Sequence, residues 1–202
     1  VRVIDFDSPW GINDIKAVAK ADPDAIIFPN IESREDVLKA INELDKAGGK
    51  KIPIMLMIES PKGVLHAEEI AFADERVGGF VLGTSDLAKD LGAAHMPDRM
   101  PFMASLELSI LAARAAGIAV RDGVHLDLND DEGFRQSCLQ GKQLGMDGKT
   151  LIHPKTIDAA NQVFSPSPED VAWSKRIIEA YAEAEKAGKG VVLVDGKLVE
   201  NL

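Results

Sequence analysis

Short apolar runs alternate with helical stretches along most of this chain, and that alternation restricts the fold more than any other feature. The runs cover residues 1–4, 24–29, 52–58, 77–82, 118–120 and 150–152. Each is apolar nearly throughout rather than at every second residue, as expected for strands covered on both faces. Helical patterns lie between them. Residues 34–44 carry Val37, Ala40, Ile41 and Leu44 on one face, residues 105–116 are rich in Leu and Ala and stop at Gly117, and residues 131–144 stop at Gly145. Repetition of this kind predicts a parallel sheet with helical crossovers.

Such a sheet is either open and doubly wound or closed into a barrel. The dinucleotide-binding version of the open sheet needs a glycine-rich turn after its first strand, and no GxGxxG occurs. The polar residues fall instead where strands end: Asn30, Glu59-Ser60, Thr84-Ser85-Asp86, Asp122-Gly123 and His153. A (β/α)8 barrel collects its active site from that rim. The expected fold is therefore an α/β TIM barrel lacking its first strands. The run at residues 1–4 starts without a lead-in, so two further strands are expected before Val1 in a complete barrel of ~250 residues.

Residues 1–164 make up this partial barrel, which is the expected catalytic domain, and 165–202 form a separate C-terminal region. Just before that region, Thr156 to Phe164 predicts a short helix leading in. Ser167 caps a long helix that has Pro168 at its first position and runs to about Ala187. Asp195-Gly196 between residues 191–194 and 197–199 is a hairpin turn. A lone hairpin is marginal in water, so this tail must rest on the barrel mouth or on another subunit.

The charge balance narrows the partners. With 23 Lys plus Arg against 33 Asp plus Glu, the net charge of -10 disfavours nucleic acid and anionic membrane. No apolar run approaches the ~18–20 residues of a spanning helix, and the opening lacks the pattern of a signal peptide. The cytoplasm is the expected location. Cys138 is the single cysteine and reads as a small buried hydrophobe, so an intrachain disulfide and a cysteine metal cluster are both excluded.

Glu59 and Asp86 are the leading chemical candidates. Each follows an apolar run at neighbouring strand ends, where two carboxylates repel unless a proton or a cation is shared. A hard divalent ion with oxygen ligands resolves this, and Mg²⁺ needs only one or two protein carboxylates; the same spacing also fits solvated rim carboxylates or helix caps. Arg2, inside the opening run, cannot lie unpaired in a core and suits a substrate carboxylate or an enolate. Gly83, Thr84 and Ser85 form a turn into a helix whose free N–H groups can take a carboxylate. The histidines at 66, 95, 125 and 153 show no zinc spacing, and His153 either lines the mouth or braces a turn. Trp10 is either a ligand stack or a loop anchor, and Asp5, Asp7 and Asp14 fit a solvated, capped loop.

At these positions the sequence resembles the citrate lyase beta subunit and malyl-CoA lyase group of the HpcH/HpaI aldolase superfamily. The likeness runs through VRVIDFDSPWG, FPNIES, MLMIESPKGV, LGTSDLAKDLG, GIAVRDGVHLD, GKTLIHPKTI and FSPSPEDVAWSKRII to DGKLVENL, nearly the whole chain in order. The resemblance implies that Glu59 and Asp86 hold Mg²⁺, with Mn²⁺ as an alternative occupant. It implies that Arg2 binds the 2-oxo acid and its enolate. It also implies a trimer or hexamer in which a C-terminal hairpin lid closes over a neighbouring subunit and brings Glu200 to its site. Three positions depart from the family pattern. Glu200 stands where aspartate is typical, Ile4-Asp5 where many relatives have asparagine, and Asn30 where lysine is frequent.

The implied reaction is reversible cleavage of a 3-hydroxyacyl-CoA (citryl-, malyl- or citramalyl-CoA) into an acyl-CoA and a 2-oxo acid, with coenzyme A as part of the substrate. Two alternatives remain. One is a pyruvate-dependent aldolase that splits 4-hydroxy-2-oxo acids without coenzyme A, and the other is a subunit that kept the fold and lost catalysis.

Overall fold

Among the described residues five strands form one parallel sheet, and their spatial order is their order in the sequence. The computed structural model describes residues 1–186, 188 and 190–200, without the side chain of Glu200. The strands are β1 (Ile26–Phe28), β2 (Ile54–Ile58), β3 (Val77–Leu82), β4 (Ala119–Asp122) and β5 (Gly148–Lys149). A doubly wound sheet reverses its order at a switch point, whereas a barrel adds each strand beside the last. The unreversed order makes this an incomplete TIM-barrel-like sheet.

Helices surround it: α1 (Gly11–Lys20), α2 (Arg34–Lys46), α3 (Pro61–Leu65), α4 (Ala67–Ala71), α5 (Thr84–Leu91), α6 (Met103–Ala115), α7 (Asp131–Gln143) and α8 (Ile157–Phe164). Their starts and stops follow local chemistry. Ser33 accepts the Asp36 N–H at the head of α2, and Gly117 and Gly145, at φ +69 and +97, turn the chain after α6 and α7. Side chains alternate along a strand, so Ile54, Leu56 and Ile58 share one face of β2 and are fully buried. They join Val37, Ala40 and Leu44 of α2 and Ile70 of α4 in the main core, each buried Val, Leu or Ile side chain contributing about 1.5–3 kcal/mol. Ile27, Met57 and Val81 have the opposite parity and face a cleft.

Two expected strands are corrected. Residues 1–4 make a single parallel bridge, Arg2 to Ile27, rather than a strand. The Ile4 N–H leaves the sheet for Asp14 Oδ2 at 2.8 Å, which ends the ladder. Residues 150–152 lie past the last strand of the parallel sheet, which is Gly148–Lys149. Its partner β4 stops at Asp122, whose carbonyl accepts the Thr150 N–H at 2.9 Å, and among the described residues the pairing goes no further. Helix α1 begins one residue after Trp10, in a segment whose sequence predicts a loop; Trp10 stays exposed at its head.

Contacts divide the chain into two compact units, Val1–Phe164 and Ser165–Leu202. The second contains α9 (Pro168–Lys186) and a hairpin of β6 (Val191–Val194) and β7 (Lys197–Glu200). Asp195 and Gly196, both at positive φ, make its turn. Within this unit Arg176 pairs with Asp195 at 3.0 Å, and Arg176 and Lys197 both lie over the Trp173 ring. Among the described residues no helix is long and apolar enough to cross a membrane.

Candidate active site

The C-terminal ends of β2 and β3 border a cleft of about 420 Å³, lined by Arg2, Glu59, Gly83, Thr84, Ser85 and Asp86 together with apolar residues such as Met57 and Val81. Glu59 has the same parity as Met57, so it continues the inward-facing row one step past the strand. It is only 6% exposed. Its Oε1 accepts the backbone N–H of Asn30 at 2.8 Å. Asn30 holds the left-handed conformation, φ +54, that aims this N–H at the carboxylate, a conformation asparagine tolerates better than most residues. On the other side Gly83 leaves the room Glu59 occupies: a Cβ at Gly83 would overlap the Glu59 Cβ and lie 2.6 Å from Oε2.

Burial pushes the Glu59 carboxyl above its usual range, and the charge of Asp86 adds to the rise; the Asn30 N–H and Arg2 oppose it. The site thus holds a desolvated carboxylate beside a second one. Asp86 sits in the first turn of α5, whose N-cap Gly83 supplies no side-chain cap. The N–H groups of that turn are therefore left for water or a ligand. Ser85 Oγ is buried with no hydrogen-bond partner among the described residues. Arg2 runs beside β1, and its Nη1 makes a long 3.9 Å contact to Met57 Sδ. A thioether is a weak acceptor, so the guanidinium retains most of its capacity for an anion.

Arg2, Glu59, Gly83, Thr84, Ser85 and Asp86 thus come together in one cleft. Glu200 ends β7 in the second unit, and its side chain lies outside the described residues. His153 is not in the cleft; its Nδ1 accepts the Lys155 N–H at 3.1 Å and braces the turn before α8. Cys138 is fully buried beside Phe134 and Ala160. Among the described residues no three His, Cys, Asp or Glu side chains are placed to hold a metal. Glu59 and Asp86 are a pair, and a pair is sufficient for Mg²⁺, which keeps water and substrate oxygens in its other positions. The buried Glu59 carboxyl with Asp86 beside it fits a bound cation.

A second polar cluster lies on the helix side of the sheet. Asp122, with no exposed surface, accepts from Arg99 Nη1 at 2.6 Å, from Lys149 Nζ at 2.8 Å and from the Gly123 N–H at 2.8 Å. Reading the sequence identified Asp122 and Gly123 at a strand end but gave no sign of Arg99 or Lys149. Arg99 comes from the loop between α5 and α6, and Lys149 sits in a run too short and glycine-rich to read as a strand. Gly123 passes so close to the rim that a Cβ there would overlap Thr84 Oγ1 and sit 2.8 Å from the Leu82 carbonyl.

Comparison with known proteins adds to this geometry. A family model described as HpcH/HpaI aldolase/citrate lyase matches residues 1–154. Over 202 residues the chain is 47% identical to a (3S)-malyl-CoA thioesterase of Cereibacter sphaeroides, covering all of this chain and 69% of that protein. It is 40% identical to the citrate lyase subunit beta of Haemophilus influenzae, covering 99% of this chain and 71% of the relative. The crystal structure of the protein CitE from Mycobacterium tuberculosis, in complex with magnesium, acetoacetate and coenzyme A, superposes with a TM-score of 0.78 at 26% identity, over 100% of this chain and 72% of that one.

Proposed function

The chain belongs to the HpcH/HpaI aldolase/citrate lyase family, and on that footing we propose that its cleft is the active site of a Mg²⁺-dependent CoA-ester lyase. The substrate is a 3-hydroxyacyl-CoA of the citryl, malyl or citramalyl type, and the products are an acyl-CoA and a 2-oxo acid. The observation that carries this reading is the buried Glu59 carboxylate raised by desolvation next to Asp86, with Arg2 in the same cleft.

Glu59 and Asp86 would hold Mg²⁺, or Mn²⁺ in its place. When bound, the cation polarises the oxygen on the carbon that becomes the 2-oxo acid's carbonyl. Arg2 binds the carboxylate of that acid and adds positive charge beside the oxygen where charge collects. Ser85 Oγ and the N–H groups after Gly83 orient the substrate through hydrogen bonds. Met57 and Val81 present an apolar wall that keeps water from the carbanionic carbon. In the cleavage direction the 3-hydroxyl loses a proton, the bond between C2 and C3 of the ester breaks, and the acyl-CoA enolate is reprotonated at its α-carbon. Glu200 of a neighbouring subunit would carry one of these protons, with residues 165–202 acting as a lid on residues 1–164 of the neighbour in a homotrimer or hexamer in the cytoplasm.

A second reading, hydrolysis of the thioester itself, is favoured by the 47% identity to a (3S)-malyl-CoA thioesterase. The two are separated by incubating the protein with malyl-, citramalyl- and citryl-CoA, with Mg²⁺ and with chelator, while measuring 2-oxo acid and free thiol in parallel. A lyase releases the 2-oxo acid and no thiol from malyl-CoA. A thioesterase releases coenzyme A thiol and no 2-oxo acid. Chelator-insensitive turnover would overturn the metal assignment.

A further inference from the structure

Glu59 is held at the rim by a chain of contacts that extends beyond the cleft. Its Oε1 takes the Asn30 N–H at 2.8 Å, and the Asn30 side chain in turn donates Nδ2 to Asp5 Oδ2 at 2.8 Å. Asp5 is itself anchored, its Oδ1 accepting the Asp7 N–H at 2.8 Å. Asn30 therefore performs two tasks with two groups. The backbone N–H fixes one oxygen of Glu59, and the side-chain amide fastens the left-handed turn to the loop that follows Arg2. A left-handed non-glycine residue persists only where its surroundings hold it, and the Asp5 link is the side-chain contact that does so here, beside the backbone bond to Glu59.

We propose that Asp5 and Asn30 form a positioning pair for Glu59, acting through the Asp5–Asn30 hydrogen bond rather than through the charge of Asp5. With Oε1 accepting from Asn30 and Gly83 leaving the room that Oε2 occupies, Oε2 is the oxygen that would be left for a cation. Loosening the turn frees Glu59 to swing away from Asp86, and the preorganised pair of carboxylates is lost. This inference rests on the cation reading of Glu59 and Asp86.

The test is a titration of the whole protein with Mn²⁺, following free Mn²⁺ by electron paramagnetic resonance, for wild type, Asp5→Asn, Asp5→Ala, Asn30→Gly and the Asp5→Ala/Asn30→Gly double variant. Thermal melts of each variant identify the folded population on which the Kd is based. Asn30→Gly keeps the φ and the N–H but loses the amide. Asp5→Asn keeps an acceptor for that amide and gives up the charge; the displaced Asp7 N–H is exposed and takes water. Asp5→Asn is expected to bind within about twofold of wild type, and Asp5→Ala and Asn30→Gly to weaken binding roughly tenfold each, the scale of one hydrogen bond. The double variant should be no weaker than either single, because both break the same bond. Equal weakening by Asp5→Asn and Asp5→Ala, or additive losses in the double variant, would overturn the proposal in favour of a simple charge effect. Unchanged binding in every variant would overturn it outright. Absence of Mn²⁺ binding in wild type removes the cation reading, and the proposal falls with it.

Discussion

Replacing Asp122 with Asn should destabilise the protein far more than replacing its partner Lys149 with Met. Two cations, Arg99 and Lys149, share one carboxylate in a region with almost no exposed surface, the Lys149 side chain being 1% exposed and that of Asp122 0%. The cluster therefore carries one positive charge in excess. Asp122→Asn keeps the shape and an oxygen acceptor but leaves two buried cations facing no anion. Losing one partner of a buried ion pair costs about 3–5 kcal/mol, and at roughly 2–4 °C per kcal/mol in a chain of this size that is a fall in Tm of about 6–20 °C. Lys149→Met instead leaves a neutral Arg99–Asp122 pair. It removes an ammonium that burial already pushes below its ordinary value of 10.5, against the pull of Asp122. The remaining loss is one hydrogen bond on Asp122 Oδ2, about 1–2 kcal/mol, partly offset by the ammonium no longer desolvated. Between the lowered folded value and 10.5 the unfolded state binds more protons at Lys149 than the native state does. Its contribution therefore makes wild-type stability rise with pH through that window, and Lys149→Met should lack this rise. Urea denaturation of both variants across pH measures all of this. If Lys149→Met is as damaging as Asp122→Asn, the excess-charge account is wrong.

Glu59→Gln should raise the stability of the metal-free protein by about 0.5–2 kcal/mol, as expected when a residue placed for function is relieved of strain. The Glu59 carboxyl is raised, so the native state holds its proton above the unfolded value of 4.5; wild-type stability falls as pH rises through that interval, and the variant should not show the fall in a pH series of melts. Gly83→Ala should lower kcat/KM by roughly 100-fold, the scale of an ångström misplacement at a reacting group, because the new methyl group takes the space of the Glu59 side chain; turnover near wild type would show that Glu59 has another position available. Arg2→Lys should raise KM for the CoA ester about tenfold with a smaller change in kcat, since an ammonium cannot grip a carboxylate with two parallel bonds; steady-state kinetics separate the two parameters.

The helices that carry wide apolar faces were legible because burial and spacing report the same thing: Val37, Ala40, Ile41 and Leu44 all face the core. Four of the apolar runs became strands for the same reason. Residues 150–152 did not, because pairing depends on where β4 stops, which no periodicity encodes. Helix α1 was missed because Trp10 and Gly11 look like loop, and its amphipathic face is short. In the site, Glu59 and Asp86 were legible as carboxylates at adjacent strand ends. The left-handed turn at Asn30 was not, because asparagine at a strand end has many conformations and only the finished rim selects one. The Asp122 cluster was hidden for a further reason: its three charges are contributed by three segments whose local patterns are unremarkable one at a time.

The unreversed strand order also bears on how the rim is assembled in time. The bond from Asn30 to Asp5 closes a loop of 25 residues, that from Asn30 to Glu59 one of 29, and those from Arg99 and Lys149 to Asp122 loops of 23 and 27. Chain-closure entropy grows only with the logarithm of loop length, so these closures differ by about 0.2 kcal/mol or less. Each of these four bonds joins segments that lie close together in the chain. A rim built from such short closures is expected to assemble in chain order, with the polar end of each strand fastened to a segment near it in the sequence.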